Sequence, residues 1–138
     1  MPYATAAQFI EAFGEEEVIH LTNLDDVAAQ LRDDSVLNRA LVDGESVINS
    51  LIRGRYPLPL DPAPPELTPI NLDISRYRLD RNRPREDVRL RYEDAMRWLR
   101  DVAKGLVSLT VPDDAPTAGD SAYVTRPRYF SDENLRGY

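Results

Sequence analysis

The chain is poor in several residue types that carry chemistry. Cysteine is absent from its 138 residues, which excludes disulfides, thiolate metal sites and a cysteine nucleophile, and favours a reducing compartment. His20 is the only histidine, so one chain cannot build a histidine pair or a histidine-rich metal site. No apolar run approaches the roughly 20 residues that span a bilayer, and the first residues lack the order of a signal peptide. We therefore expect a soluble, acidic, cytosolic-type domain without membrane association.

The formal net charge of −7 is unevenly distributed along the chain. It divides into −8 over residues 1–52, +3 over 53–105 and −2 over 106–138. Of the 17 basic residues all but Lys104 are arginine, a bias that codon usage explains as well as a preference for guanidinium groups at interfaces does. A protein that grips duplex DNA would show a basic stripe and a high isoelectric point. This chain shows neither.

Helical spacing of the apolar residues predicts an all-α fold, a small bundle of about four to five helices. Thr5 and Gln8 are typical of a capping box at the start of the first helix. Gly14 is expected to end that helix in the left-handed conformation. A short second helix is predicted over residues 15–21.

A long third helix is predicted from a cap at residues 33–35 to Arg53. Gly44 lies inside it and costs about 1 kcal/mol relative to alanine, so we expect close packing or a bend there. Residues 24–34, just before this helix, are expected to form a helical turn or two. That expectation rests on the spacing of Val27, Ala28 and Leu31.

Prolines mark the boundaries of the later helices. Residues 56–65 are too rich in proline for a helix interior, and their alternating apolar side chains predict a rigid strap laid across the core. The fourth helix is expected to begin at Pro65, or at Pro69 with Thr68 as its cap. The strongest helix is predicted over residues 84–104.

The character of the chain changes after residue 110, which divides it into a helical core (1–110) and a flexible linker with a docking arm (111–138). Residues 111–122 contain almost nothing to bury. The last sixteen residues regain three tyrosines and one phenylalanine, which favours an extended arm that docks onto a partner. The side chains expected to bind the partner are Tyr129, Phe130, Leu135, Arg136 and Tyr138.

The sequence predicts no catalytic, cofactor-binding or metal-binding residues, and no cofactor. Glycine-rich phosphate loops are absent, and His20 is interpreted as a satisfied structural histidine. Asp73, Arg76 and Tyr77 share a helix face, which predicts a salt bridge beside a packed tyrosine. Two alternatives stay open: a small DNA-binding or packaging regulator, and a metal-dependent hydrolase that uses the acidic clusters.

Several segments, in this order and spacing, resemble the small neck proteins of Mu-like tailed phages and prophages. The matching segments are 3–5, 13–14, 16–19, 21–22, 52–60, 73–79, 91–99, 104–105, 107–109, 130–131 and 135–138. The pattern departs from the family around residues 24–35. The resemblance therefore covers most of the chain.

The resemblance implies a non-enzymatic structural virion protein, an all-helical head-to-tail connector or head-completion adaptor. Such a protein forms a ring under the portal protein, extends the DNA channel and offers a docking surface to a tail-side neck, stopper or tail-completion protein. A homo-oligomeric ring, a dodecamer, is expected in the virion neck, with a monomer as the alternative for the free protein in the host cytoplasm.

DNA is expected to pass through this ring without sequence-specific binding, because an acidic wall does not hold phosphates. The carboxylates expected to line the channel are Glu15, Glu16, Glu17, Asp25 and Asp26.

Overall fold

Five α-helices and no strand make up residues 3–110, the part of the chain that the computed structural model describes. The helices are α1 (Ala6–Phe13), α2 (Glu15–Thr22), α3 (Asp34–Ile52), α4 (Leu67–Leu79) and α5 (Glu86–Lys104). The predicted all-α bundle is confirmed. None of these five helices is long and apolar enough to cross a membrane.

The two short helices are set by local signals. The Thr5 hydroxyl accepts from the Gln8 backbone N–H at 3.2 Å, and the Gln8 side chain accepts from the Thr5 N–H at 2.9 Å, which confirms the capping box. Gly14 joins α1 to α2 with φ +89° and ψ +149°. This is an extended backbone at positive φ instead of the predicted left-handed helical conformation, and glycine is the residue that adopts either most readily.

The bundle is held by two clusters of buried apolar side chains, and α3 and α4 contribute to both. The amino-terminal core consists of Ala4, Phe9, Val18, Leu21, Leu37, Ala40, Leu41 and Leu79. The carboxy-terminal core consists of Tyr3, Ile48, Ile52, Tyr56, Leu67, Ile74, Ala95, Leu99, Val102 and Leu109. A fully buried leucine or isoleucine contributes roughly 1.5–3 kcal/mol, so these clusters supply most of the stability of the bundle.

Gly44 brings α3 and α4 close together, which confirms the predicted close packing. A Cβ atom at position 44 would lie 2.8 Å from the Ser75 Oγ and well inside the contact distance of the Asn71 Oδ1. Both side chains are buried on α4. The backbone of α3 therefore rests directly on polar side chains of α4.

The loop between α2 and α3 corrects one prediction. Residues 24–33 contain turns but no helix, so the predicted helical turns are wrong. The apolar side chains that suggested them point to solvent: Val27 is 90% exposed and Leu31 is 82% exposed. Apolar side chains at helical spacing do not stabilise a helix this short when no other surface packs against them.

Two predicted helix starts are also shifted. Helix α4 begins at Leu67 with Glu66 as its N-cap, and Thr68 is not a cap because its hydroxyl donates instead to the Tyr3 carbonyl at 2.8 Å. Helix α5 begins at Glu86 with Arg85 at the N-cap position, two residues later than predicted.

The proline-rich stretch 56–65 crosses the carboxy-terminal core without a helix. Tyr56 is buried, and Leu58 and Leu60 pack partly buried against that core. The Leu58–Pro59 and Asp61–Pro62 peptide bonds are cis. This stretch connects the end of α3 to the start of α4.

Candidate assembly surfaces

Arg55 closes the C-terminal end of α5. Its Nη1 donates to the Val102 carbonyl at 2.9 Å and to the Val107 carbonyl at 3.0 Å. Gly105 ends the helix in the left-handed conformation, with φ +86°. The Val102 carbonyl also accepts from the Gly105 N–H at 3.1 Å, so the guanidinium adds a second hydrogen bond at this helix end and joins it to the turn that follows.

Tyr56 and Glu66 hold the chain beyond that turn. The backbone N–H of Leu109 donates to the Tyr56 hydroxyl at 2.9 Å, and the Leu109 side chain is buried. The Thr110 N–H donates to Glu66 Oε1 at 3.1 Å, and the Thr110 hydroxyl donates to the same oxygen. This hydroxyl lowers the pKa of Glu66, because it stabilises the charged form.

Arg55, Tyr56 and Glu66 together form what we call the exit anchor. It fixes the place where the chain leaves the described bundle, next to the first turn of α4. Segments 52–60, 104–105 and 107–109 are among those that carry the family resemblance, and the sequence did not indicate that they touch. In the fold, long-range hydrogen bonds join these segments.

A second set of contacts ties the start of the chain to the same core. The Tyr3 hydroxyl donates to Asn49 Oδ1, and the Tyr3 carbonyl accepts from Thr68. Burial raises the pKa of Tyr3 to about 12, and the nearby Glu45 carboxylate contributes. The Tyr3 hydroxyl therefore stays protonated over the physiological pH range and keeps donating its hydrogen bond to Asn49.

A buried ion pair joins α2 to α4. Arg76, only 4% exposed, donates to Glu17 at 2.6 Å and to Asp80 at 3.4 Å. The predicted salt bridge between Asp73 and Arg76 is therefore wrong, because Arg76 turns towards α2. Burial raises the pKa of Asp73, and the positive charge of Arg91 lowers it in part.

Tyr77 packs as the sequence predicts, but on another helix. Its ring stacks on that of Tyr92 with 4.0 Å between the centroids and 8° between the planes. This stack joins α4 to α5. It is a packing contact between side chains, and none of its atoms forms a constellation that could transfer a proton or a group.

The loop between α2 and α3 presents apolar side chains on a held backbone; we call residues 23–33 the acidic–apolar loop. Asn23 Nδ2 donates to the Leu31 carbonyl at 2.7 Å, and the Asp33 N–H donates to the Thr22 hydroxyl at 2.9 Å. Arg32 pairs with Glu15 and with Asp34, each at 2.6 Å. The exposed Val27 and Leu31 thus lie on a loop whose two ends are joined by hydrogen bonds. Exposed apolar side chains of this kind occur at protein-binding surfaces.

A groove of about 470 Å³ lies beside the amino-terminal core. We call it the arginine-rimmed groove. Its apolar lining comes from Leu21, Val36, Ala40 and Leu79, and its charged rim from Arg39, Arg78, Arg81 and Asp43. The groove is formed where α2, the first half of α3 and the end of α4 meet.

Comparison with known proteins identifies the family. The sequence profile of the family described as Bacteriophage Mu, Gp36 matches residues 3–125, nearly the whole chain. This chain belongs to the Mu Gp36 family.

Two curated relatives are similar to it. The Mu-like prophage FluMu protein gp36 of Haemophilus influenzae is 40% identical over 89 residues, which cover 64% of this chain and 63% of that protein. Gene product J of Escherichia phage Mu is 32% identical over 73 residues, which cover 53% of this chain and 52% of that protein. The matches therefore span between half and two thirds of the relatives' lengths.

The Mu Gp36 profile covers every residue that the structure describes, the exit anchor and the acidic–apolar loop included. The five side chains expected to bind a partner lie outside the described residues and beyond the matched range. They are Tyr129, Phe130, Leu135, Arg136 and Tyr138.

The carboxylates expected to line a channel divide into two groups. Glu15 and Glu17 form ion pairs with arginines of the same chain. Glu16, Asp25 and Asp26 are exposed and form no ion pair within residues 3–110. It stays a prediction that any of these five carboxylates faces DNA. Glu16, Asp25 and Asp26 are better suited to line a channel, because they are exposed and unpaired within residues 3–110.

Residues with catalytic potential are not brought together in the described part of the chain. No group of three or more histidine, aspartate or glutamate side chains there is arranged to hold a metal ion. His20, interpreted from the sequence as a satisfied structural histidine, lies exposed in the last turn of α2.

Proposed function

We propose that this Mu Gp36 family member is a non-enzymatic head-to-tail connector of a Mu-like phage or prophage. In this proposal copies of the chain form a ring under the portal protein, extend the DNA channel and present a surface to a tail-side neck, stopper or tail-completion protein. Membership of the family carries the proposal, together with the resemblance to small neck proteins of such phages. The site of action would be the virion neck, after assembly in the host cytoplasm.

The exit anchor supports a role in assembly. It holds Leu109 and Thr110 against the bundle by hydrogen bonds to Tyr56 and Glu66, so whatever follows leaves from one defined point. The sequence continues for 28 residues beyond Thr110. A segment that starts from a fixed point on a rigid core can search for a partner with a high effective concentration, which suits an arm that docks on a portal or a neighbouring copy.

The distribution of charge supports a ring around DNA more than a DNA-binding module. Helix α5 carries many arginines, but Arg89 is held by Glu86 and Glu93, and Arg97 pairs with Asp94. A recognition helix needs unpaired basic side chains to reach phosphates and bases. Arg91 and Arg100, also exposed on α5, form no ion pair within residues 3–110. The DNA-binding regulator therefore stays the second candidate, and a mobility-shift assay at low salt tests it directly.

The proposal is tested by mixing the purified full-length protein with portal-bearing heads that lack it. We expect a ring of additional density under the portal in class averages from electron microscopy. The variant with Tyr129, Phe130, Leu135 and Tyr138 all changed to alanine is expected to lose this density while its helical content stays the same.

The matched control changes Ser131 and Asn134 to alanine, which alters the same segment without removing its apolar side chains. The control protein is expected to assemble like the unmodified one. A full-length protein that sediments identically with and without portal, and adds no density to the heads, would show that it is not a connector.

A further inference from the structure

The arginine-rimmed groove carries a local excess of positive charge. Arg39, Arg78 and Arg81 are exposed on its rim. The rim holds one carboxylate, that of Asp43, and none of these four side chains forms an ion pair within residues 3–110. These three guanidinium groups are therefore available to an acidic partner.

The floor of the groove restricts how a partner can bind. Leu21, Ala40 and Leu79 in its lining belong to the amino-terminal core and are only 2–7% exposed. A partner therefore cannot insert large apolar side chains and binds at the rim. Guanidinium groups bind carboxylates through two parallel hydrogen bonds, so the rim selects a protruding segment with adjacent carboxylates.

The acidic–apolar loop presents such carboxylates. Asp25 and Asp26 are adjacent and exposed, and neither forms an ion pair within residues 3–110. In every other pair of adjacent acidic residues in that range, at least one carboxylate pairs with an arginine of the same chain. Those pairs lie within 15–17, 33–34, 86–87 and 93–94.

The charge of this loop is not cancelled by neighbouring bases. Residues 23–31 contain the two aspartates and no basic residue, so their net charge is −2. Arg32, which follows them, pairs with Glu15 and Asp34. The loop therefore keeps a negative charge that complements the positive rim.

The loop and the groove are separate surfaces of one chain. The loop precedes the first residue of α3, whereas the groove lies alongside α3 from Val36 to Asp43 and at the end of α4. Hydrogen bonds hold both ends of the loop, and its carboxylates do not pair with the rim of their own chain. Two different surfaces that fit each other join copies head to tail, and such contacts can close into a ring.

We propose that the arginine-rimmed groove binds the acidic–apolar loop of a neighbouring copy. Asp25 and Asp26 of one copy pair with the rim arginines of the next, and Val27 beside them is covered in the same contact. This inference rests on the proposed function, because it names the contact through which copies of a connector would form a ring.

The absence of native cysteine permits a test on the full chain in solution. A chain with a nitroxide label at Ala28→Cys, an exposed position of the loop, is mixed at high concentration with an isotope-labelled chain. We expect loss of signal intensity at the amides of Arg39, Arg78 and Arg81 in the isotope-labelled chain, and none at Ser50, at the other end of α3. Salt should reduce the loss, because exposed charges are screened.

Charge changes identify the groups that pair. Asp25→Asn with Asp26→Asn in the nitroxide-labelled chain is expected to remove the intensity loss. Asp25→Arg with Asp26→Arg should remove it as well. The loss should return when this reversed loop meets an isotope-labelled chain that carries Arg78→Glu with Arg81→Glu.

The matched control is Glu11→Gln with Asp61→Asn. It removes two other exposed carboxylates that form no ion pair within residues 3–110, and it should leave the intensity loss unchanged. Circular dichroism verifies that each variant folds. On portal-bearing heads, the variant with Asp25→Asn and Asp26→Asn should add less ring density than this control.

Three results would overturn the proposal. One is full intensity at the rim amides in the mixed sample; if the same amides shift when a short DNA duplex is added, the rim binds DNA instead. The second is intensity loss that the neutralised loop leaves unaltered. The third is ring density from the neutralised loop equal to that of the control.

The connector role and the loop–groove contact fail separately. The contact is measured between free copies, without portal. A protein that shows the contact but adds no density to portal-bearing heads would contradict the connector role alone. A protein that adds ring density but shows no contact would contradict the loop–groove pairing alone.

Discussion

Gly44 sets the distance between two helices through the side chain it lacks. Its neighbours on α4, Asn71 and Ser75, are buried, and the Ser75 hydroxyl donates to the Ala40 carbonyl at 3.2 Å and contacts the Asn71 amide oxygen at the same distance. These side chains cannot swing into solvent to make room. The cost of glycine in a helix is therefore offset by a polar contact that no larger residue allows.

Gly44→Ala is expected to lower the free energy of unfolding. Alanine gains about 1 kcal/mol of helix propensity, but overpacking at a buried site costs about 1–3 kcal/mol, so we expect a net loss of up to about 2 kcal/mol. Urea unfolding followed by circular dichroism measures it. Gly54→Ala is the control, because a Cβ atom there meets nothing within 4 Å; equal losses in both variants would contradict the packing argument.

Asp33 couples the start of α3 to pH. Its Oδ1 accepts from the Ser35 hydroxyl at 2.6 Å and from the Ser35 and Val36 N–H groups. These hydrogen bonds lower the pKa of Asp33, and the one from the Ser35 hydroxyl has the largest effect. A carboxyl whose pKa is lower in the folded state adds stability above its unfolded pKa, about 3.9, and loses it as the pH falls through the folded value.

Asp33→Asn is expected to reduce the acid sensitivity of the fold. Asparagine also caps helices but does not titrate, so stability should fall less between pH 5 and pH 3 than in the unmodified protein. Thermal unfolding at several pH values measures the difference. Asp25→Asn, at an exposed position, should leave the pH dependence unchanged; an equal effect there would assign the acid sensitivity to general charge.

At the scale of elements, the exit anchor is a contact between segments far apart in sequence. Position 56 binds position 109 and position 55 binds positions 102 and 107. Neither the end of α5 nor the proline-rich stretch would hold the following chain alone. Their contact fixes the position of Leu109 and Thr110, the last described residues, against the bundle.

Tyr56→Phe is expected to loosen this point without removing the ring from the core. The buried Leu109 N–H loses its acceptor, which costs about 1–3 kcal/mol. Hydrogen exchange at Leu109 should become faster, while exchange at the Ile48 amide in α3 changes only as far as global stability does. Tyr92→Phe is the control, since its ring can still stack on Tyr77. Unchanged protection at Leu109 would show that the hydroxyl contributes nothing.

At the scale of the whole molecule, the two most exposed large apolar side chains of the described residues lie on the acidic–apolar loop. Val27 and Leu31 are more exposed than Val42 and Leu90, which lie singly on helices, and Leu106, just after α5, is 74% exposed. Hydrogen bonds and ion pairs at both ends of the loop keep them displayed. In the proposed ring, such a surface is suited to contact with a neighbouring copy.

Val27→Ser with Leu31→Ser is expected to weaken assembly without weakening the fold. Surface changes away from packed contacts alter the free energy of unfolding by less than about 0.5 kcal/mol, whereas an interface would lose its apolar contacts. Sedimentation with portal-bearing heads measures assembly. Val42→Ser with Leu90→Ser is the matched control, and equal binding by both double variants would remove the loop from the assembly surface.

Much of the fold could be predicted from the sequence because its signals are local. Thr5 with Gln8, Asp33 and Gly105 act within one turn of their own helix, and the buried stripe of α5 follows helical spacing. The loop after α2 could not be predicted, because the spacing of Val27 and Leu31 indicates a helix only if another surface covers them. The partner of Arg76 was missed because Glu17 lies 59 positions away.

The sequence by itself determined the helical class, most helix ends, the lack of thiol and disulfide chemistry and the family to which the chain belongs. Only the tertiary structure decided which side chains meet: Arg55 and Tyr56 with the end of α5, Arg76 with Glu17, and three arginines around one groove. The reason is physical. Caps and periodicity depend on neighbours in sequence, whereas a guanidinium or a hydroxyl finds its partner wherever packing of the cores brings an acceptor within hydrogen-bond distance.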